Sequence, residues 1–191
     1  MIIILNGPPS AGKSSIAQAI VQQATGGVFM HIESDAVYDF HINEPYKAEK
    51  DGNGRIVHYY LDTPSKVSMA LEAGNCVVWD NLFSHPQQIA YEVKAVGEIA
   101  HEKKIYLIKV QCSLEICQAR ELARGDREIG YAKILYDGSY RCMPVYDLEV
   151  DSSATSPKDN ALIILNFVKN NKTESVFNAY VERVFEQNAK L

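Results

Sequence analysis

Residues 7–14 read Gly7-Pro8-Pro9-Ser10-Ala11-Gly12-Lys13-Ser14, which matches the pattern G-x-x-x-x-G-K-[ST] of a phosphate-binding loop, or P-loop. An apolar run at residues 2–5 precedes it and is typical of a buried central strand in a parallel sheet. After the loop, Ile16, Ile20 and Ala24 recur at helical spacing until Gly26 and Gly27. Because a P-loop lies between a strand and a helix N-terminus, this context supports the motif.

The chemistry of each position explains the pattern. Backbone N–H groups of such a loop form a nest for phosphate oxygens, and the helix N-terminus adds further donors. Gly7 and Gly12 permit backbone angles and close approaches that a Cβ would block. Lys13 should reach the β- and γ-phosphates, and Ser14 should bind Mg²⁺. The predicted nucleotide-binding residues of the loop are Gly7, Pro8, Pro9, Ser10, Ala11, Gly12, Lys13, Ser14 and Ser15. The alternative is a glycine-rich turn with a solvated Lys13.

The rest of the chain alternates short apolar runs with helical patterns, which predicts an α/β protein. Further strands are expected at residues 28–32, 75–79, 105–110 and 146–150, and helices at 63–72, 86–101, 161–168 and after Ser113. The expected architecture is a three-layer α/β/α P-loop NTPase fold with a five-stranded, mostly parallel sheet. Residues 1–172 would form the domain, and residues 124–144, rich in charge, glycine and tyrosine, would form a mobile lid. Residues 173–191 predict an amphipathic C-terminal helix.

Two carboxylates follow predicted strands, at the edge of the sheet where ligands bind in such folds. Asp80 could hold Mg²⁺, although it could also simply end its strand in a turn with Asn81. Asp35 could accept the proton of an attacking hydroxyl, or it could cap the next helix. Glu33 is the competing base.

Arg120, Arg124 and Arg127 are spaced i, i+4 and i+7, so they would share one face of a helix that continued past Gly125. Planar guanidinium groups stabilise the charge that develops on a transferring phosphoryl group. The sequence therefore predicts Arg120 and Arg124 as nucleotide-binding and Arg124 and Arg127, with Lys13 and Asp35, as catalytic. The alternative is a solvated face whose charge is offset by acidic neighbours.

Composition excludes several classes of protein. The chain of 191 residues has 19 basic and 24 acidic residues, a formal net charge of −5, which argues against nucleic-acid or membrane-surface partners. No run approaches the roughly 18 apolar residues of a membrane span. The four cysteines lack Cys-x-x-Cys spacing, so free thiols are favoured over a disulfide or a metal site. A cytoplasmic location is expected.

The segment between the second strand and the following helix is long, polar and rich in tyrosine. Tyr38, Tyr46, Tyr59 and Tyr60 could line an acceptor pocket by stacking on an aromatic or sugar-like substrate. They could equally pack the segment onto the domain. The C-terminal helix also has two possible roles, because its apolar face could cover the core or form a contact in a homo-oligomer.

Six stretches together resemble the chloramphenicol phosphotransferase-like family, in the same order over about residues 1–170. They are Ile2 to Gly7 with Ser10 to Ser14, Ser34-Asp35, Trp79-Asp80-Asn81, Arg120-Glu121, Ala123 to Arg127, and Tyr146 to Asp151. The resemblance implies an ATP-dependent kinase of a small-molecule hydroxyl, with Asp35 as base and the three arginines on ATP. The chain departs from the family pattern at Pro8-Pro9 and around residues 41–60.

The expected function is therefore transfer of the γ-phosphate of ATP, with Mg²⁺, to a hydroxyl of a chloramphenicol-like antibiotic or related metabolite. The alternatives are a kinase for a nucleoside, adenylylsulfate or sugar-type acceptor, and a non-catalytic module that senses nucleotides.

Overall fold

The structure, a computed structural model, describes residues 1–25, 27–33, 62–81, 103–125, 129–141, 145–171, 173, 175–177 and 179–180. Within these residues five strands form one parallel sheet in the order β2-β3-β1-β4-β5. The strands are β1 Ile2–Asn6, β2 Phe29–Glu33, β3 Cys76–Asn81, β4 Ile105–Gln111 and β5 Leu148–Asp151. The predicted five-stranded α/β fold is confirmed, and every pairing among these strands is parallel.

Helices cover both faces of this sheet. They are α1 Lys13–Gln23, α2 Asp62–Glu72, α3 Leu114–Arg124, α4 Tyr131–Arg141 and α5 Pro157–Asn170. Ile2 and Ile4 of β1 point to the face covered by α2, whereas Ile3 and Leu5 point to the face covered by α1 and α5. Because side chains alternate along a strand and both faces are buried, the central strands are apolar throughout.

The helix boundaries follow their capping residues more closely than the apolar pattern. Ser113 caps α3 as predicted, since its Oγ accepts a hydrogen bond from the Ile116 amide at 3.3 Å. In contrast, α5 begins at Pro157, four residues before the predicted start at 161. Ser156 caps it by accepting from the Asp159 amide at 3.1 Å. The first turn is polar, so the apolar periodicity did not reveal it.

The predicted lid contains a packed helix in its described part. Ala132 and Ser139 of α4 are fully buried. The Tyr136 hydroxyl donates to the Cys112 carbonyl at 2.7 Å, and the Tyr140 hydroxyl donates to the Val110 carbonyl at 3.1 Å. These bonds hold α4 against the end of β4.

Several predicted features lie outside the described residues. They are the helix at 86–101, the four tyrosines at 38, 46, 59 and 60, Cys142 and the end of the C-terminal helix. The cysteines that are described, Cys76, Cys112 and Cys117, are free thiols as expected. None of the described helices is both long and apolar enough to cross a bilayer.

A partly buried carboxylate and an aromatic ring attach the chain beyond α5 to the core. Phe177 is fully buried with Ile2, Ile4 and the other side chains on the α2 face of the sheet. Asp147 accepts hydrogen bonds from the Leu107 amide at 2.8 Å, the Ser175 hydroxyl at 3.0 Å and the Val176 amide at 2.8 Å. Asp147 therefore joins β4 to the C-terminal segment.

Replacing Asp147 with Asn should destabilise the fold. The new side-chain NH₂ group would face a donor, so at least one of these hydrogen bonds to a charged acceptor is lost. We expect D147N to lower the free energy of unfolding by about 2 kcal/mol in urea denaturation. Asp137→Asn is the matched control, because Asp137 forms only an exposed ion pair with Arg141 in the described structure and should cost about 0.5 kcal/mol or less. Equal effects of the two substitutions would contradict this role for Asp147.

Candidate active site

The P-loop occupies the carboxyl edge of β1 and leads directly into α1. Gly12 has a φ of +89° and Ser10 a φ of +61°, and the Ala11 amide donates to the Pro8 carbonyl at 3.2 Å, which closes a tight turn. Pro8 and Pro9 have no amide hydrogen, so phosphate donors must come from the later part of the loop. The first amides of α1, from Lys13 onward, have no partner within the helix and are suited to that task.

The two motif glycines are required for different physical reasons. A Cβ on Gly7 would lie 2.6 Å from the Val110 carbonyl oxygen, so only glycine lets the loop start beside β4. A Cβ on Gly12 would meet no described atom closer than 3.5 Å, but its positive φ disfavours any other residue. Close approach fixes the first glycine, and backbone conformation fixes the second.

Asp80 lies next to the P-loop because β3 pairs with β1. The register places Asp80 beside Leu5, two residues before Gly7. Its Oδ2 accepts a hydrogen bond from the Ser14 hydroxyl at 2.5 Å, and its Oδ1 lies 3.9 Å from Lys13 Nζ. Lys13 also donates to the Pro8 carbonyl at 3.2 Å. The structure thus brings together three residues that the sequence predicted for phosphate and metal binding.

The surroundings of Asp80 keep it ionised. Burial, the largest influence, raises the pKa of Asp80. The charge of Lys13, the proximity of His31 and the hydrogen bond from Ser14 together outweigh burial and lower its pKa below the ordinary value of 3.8. A buried carboxylate beside a serine hydroxyl offers the oxygen ligands that Mg²⁺ prefers, so the residues fit the predicted metal.

His31 was not singled out by the sequence, yet it faces the same carboxylate. Its Nε2 is buried 3.8 Å from Asp80 Oδ2 and makes no hydrogen bond to a described residue, and its Nδ1 lies 3.5 Å from Glu33 Oε1. His31, Glu33 and Asp80 place one ligand atom each within 4.8 Å of one another. His31 and Glu33 lie two residues apart on β2, so their side chains share one face of the strand. Glu33 pairs with Asp80 on β3. The i, i+2 spacing of His31 and Glu33 is visible in the sequence. Their proximity to Asp80, however, can be recognised only once the pairing register of β2 and β3 is known.

Arg120 reaches the P-loop from the side of α3. Its guanidinium donates to the Ala11 carbonyl at 3.4 Å, to the Ser152 hydroxyl at 3.3 Å and to the Ser152 carbonyl at 2.7 Å. The Ser152 hydroxyl also donates to the Ala11 carbonyl at 2.5 Å. Ser152 was missed because it follows β5 and comes near the loop only through the fold.

The predicted arginine face does not extend beyond α3. Arg124 is exposed in the last turn, and Gly125 ends the helix with a φ of +67°. The shared face required the helix to continue past Gly125. Because α3 ends at Arg124, Arg127 is not part of this helix and does not share its face with Arg120 and Arg124. Arg127 and Asp35 themselves lie outside the described residues.

The sequence profile of the chloramphenicol phosphotransferase-like proteins matches residues 1–169. The chain belongs to this family. The match includes the P-loop, Asp80, Arg120 and Ser152 and ends within α5. No curated protein matches the chain in sequence.

Solved structures with the same fold as this family member include several kinases. A sugar kinase from Janibacter sp. HTCC2649 has a TM-score of 0.64 at 11% identity, covering 88% of this chain and 94% of its own. A gluconokinase from Sinorhizobium meliloti 1021 has a TM-score of 0.56 at 16% identity, covering 97% and 95%. The tunicamycin resistance protein of Deinococcus radiodurans has a TM-score of 0.61 at 14% identity, covering 91% and 97%. At these identities the likeness establishes the fold.

Replacing Gly7 with Ala should disturb both the fold and the loop of this family member. The added methyl would press on the Val110 carbonyl, so the loop or β4 must move, and we expect a loss of about 1–3 kcal/mol of stability in thermal unfolding. Gly138→Ala is the control, because a Cβ there meets no described atom within 4 Å and α4 is helical. It should raise stability by about 0.5 kcal/mol. A G7A protein as stable as G138A would refute the close-approach argument.

Proposed function

We propose that the protein is an ATP-dependent kinase that transfers the γ-phosphate to a hydroxyl of a small molecule. The observation that carries the proposal is the cluster of Lys13, Ser14 and Asp80 at the start of α1, beside a loop with P-loop geometry. Membership of the chloramphenicol phosphotransferase-like family supports a small-molecule kinase.

Each residue of the cluster has a separate task in this proposal. The amides at the start of α1 bind phosphate oxygens, and Lys13 neutralises charge on the β- and γ-phosphates. Ser14 and Asp80 would hold Mg²⁺, which when bound neutralises phosphate charge and orients the transferred group. Asp80 is suited to this because its lowered pKa keeps the carboxylate charged at neutral pH.

The acceptor hydroxyl needs a base on the opposite side of the γ-phosphate from the leaving group. Asp35 is the proposed base, because in the sequence it comes two residues after Glu33, the last residue of β2, and because the family resemblance assigns it that role. Glu33 is the competitor, and its side chain, which ends β2, is about a third exposed and faces His31. Arg124 and Arg127 are proposed to stabilise the transferred phosphoryl group.

The proposed acceptor is a small molecule with a free hydroxyl, either a chloramphenicol-like antibiotic or a sugar-like compound. Two of the proteins with this fold are described as a sugar kinase and a gluconokinase, and another as an antibiotic resistance protein. A kinase assay should therefore screen chloramphenicol, other hydroxyl-bearing antibiotics, sugars, sugar acids and nucleosides with ATP and Mg²⁺. ADP release that depends on one acceptor would support the proposal. Tight ATP binding without any acceptor-dependent turnover would favour a nucleotide-sensing module instead.

Replacing Lys13 with Ala should weaken both nucleotide binding and turnover. The variant loses the cation beside the loop, and we expect kcat to fall about 100-fold or more. Trp79, the single tryptophan, precedes Asp80 and is buried, so its fluorescence can report ATP binding alongside calorimetry. Lys169→Ala is the matched control, because Lys169 is exposed in the last turn of α5. K13A with the affinity and rate of K169A would exclude the P-loop role.

Asn substitution at Asp35 and Gln substitution at Glu33 should separate the two candidate bases. With Asp35 as base, D35N should retain ATP binding and lose about 100- to 10,000-fold in kcat, since only proton transfer is removed. E33Q should keep kcat within about threefold of the wild type. The reverse result would transfer the role of base to Glu33.

A further inference from the structure

Glu121 is a buried carboxylate that the proposed phosphate chemistry does not use. It lies in α3, and the residue is 2% exposed. Its Oε2 accepts from the Gly130 amide at 2.8 Å, and its Oε1 accepts from the Ala132 amide at 2.7 Å. These amides are at the N-terminus of α4, whose first turn contains no acidic residue of its own. The carboxylate of α3 therefore caps the start of α4.

The C-terminal part of α4 is tied to the beginning of the P-loop. Asn6, the last residue of β1, is fully buried and directly precedes Gly7. Its side-chain amide donates to the Ser139 carbonyl of α4 at 2.8 Å and to the Tyr146 hydroxyl at 2.7 Å. A shift of α4 would therefore be transmitted to the residue on which the loop begins.

The other helix is tied to the later part of the same loop. Arg120, the neighbour of Glu121 in α3, donates to the Ala11 carbonyl and to Ser152. Buried Ala132, whose amide Glu121 holds, belongs to the same apolar cluster as Ala11. The P-loop thus has one support through α4 and one through α3, and Glu121 joins the two supports.

We propose that Glu121 is a positioning residue for the phosphate site, an inference that rests on the proposed kinase function. It touches no reacting group, but it sets α4 against α3 and so fixes Asn6 at one side of the loop and Arg120 at the other. A displacement of the loop donors by about 1 Å is enough to lower catalysis strongly. Nucleotide binding should be more sensitive to Glu121 than acceptor binding, because both supports end on the P-loop.

The variant Glu121→Gln tests this proposal with little change in volume. One carboxylate oxygen becomes an NH₂ group that faces a backbone N–H, so one capping hydrogen bond is lost. Glu115→Gln is the matched control, since Glu115 is exposed in the first turn of the same helix and the charge change is identical. Hydrogen exchange at the Gly130 and Ala132 amides reports the cap, and calorimetric titration with ATP and Mg²⁺ reports the site.

We expect E121Q to lose exchange protection at the amide that then faces the NH₂ group, to bind ATP about tenfold more weakly and to raise KM for ATP similarly, with KM for the acceptor changed less than about twofold. E115Q should match the wild type. Glu121→Asp retains the charge on a shorter side chain, so it should give an intermediate ATP affinity and stands in for E121Q if E121Q does not fold.

Two results would overturn the proposal. In the first, E121Q loses exchange protection but binds ATP and turns over as the wild type does, so that the cap serves only the stability of α4. In the second, E115Q weakens ATP binding as much as E121Q. If the wild type binds ATP but phosphorylates no acceptor, the kinase function fails while the ATP affinities still decide the role of Glu121. If the wild type binds no ATP, both the proposed kinase function and the proposed role of Glu121 are overturned.

Discussion

The contact among Lys13, Ser14 and Asp80 is the interaction on which the organisation of the site depends. It joins the first turn of α1 to the end of β3, the strand that pairs with β1 and so lies beside the start of the P-loop. A buried carboxylate without partners would be costly, so Asp80 requires Lys13 and Ser14 to stay where they are. The same groups are the ones that phosphate and Mg²⁺ would recruit, so the site is preorganised by a contact that also keeps its carboxylate ionised.

The loop between these groups has few internal bonds of its own in the described structure and is supported from outside. Arg120 and Ser152 hold the Ala11 carbonyl, and Asn6 ties the end of β1 to α4. Among these three side chains Arg120 is charged, and hydrogen bonds from a charged donor are stronger than neutral ones, which suits Arg120 to holding the loop backbone in an unusual conformation. These external hydrogen bonds surround the part of the loop in which Ser10 and Gly12 have positive φ angles.

Local patterns predicted the five strands and four of the five described helices, whereas α4, within the expected lid, and the contacts between distant segments were not predicted. The P-loop, all five strands and the cap at Ser113 are encoded within a few residues of each feature, so periodicity and capping chemistry find them. His31 and Ser152 depend on strand register and on the path of the chain after β5, which no local pattern specifies. The end of α3 at Arg124 is a local feature, because the arginine face depended on the helix continuing past Gly125, and that glycine stops it.

Charge balance explains how an acidic chain can hold a polyanion. The net charge of −5 is spread over a surface where salt screens interactions beyond about 8 Å, so it weighs little on a group in contact with Lys13. In the structure, however, Asp80 already compensates Lys13. A nucleotide entering alone would meet a nearly neutral pair, and only a cation on Asp80 would leave the charge of Lys13 for phosphate. The pairing of these two side chains is therefore a reason to expect that the proposed reaction uses Mg²⁺.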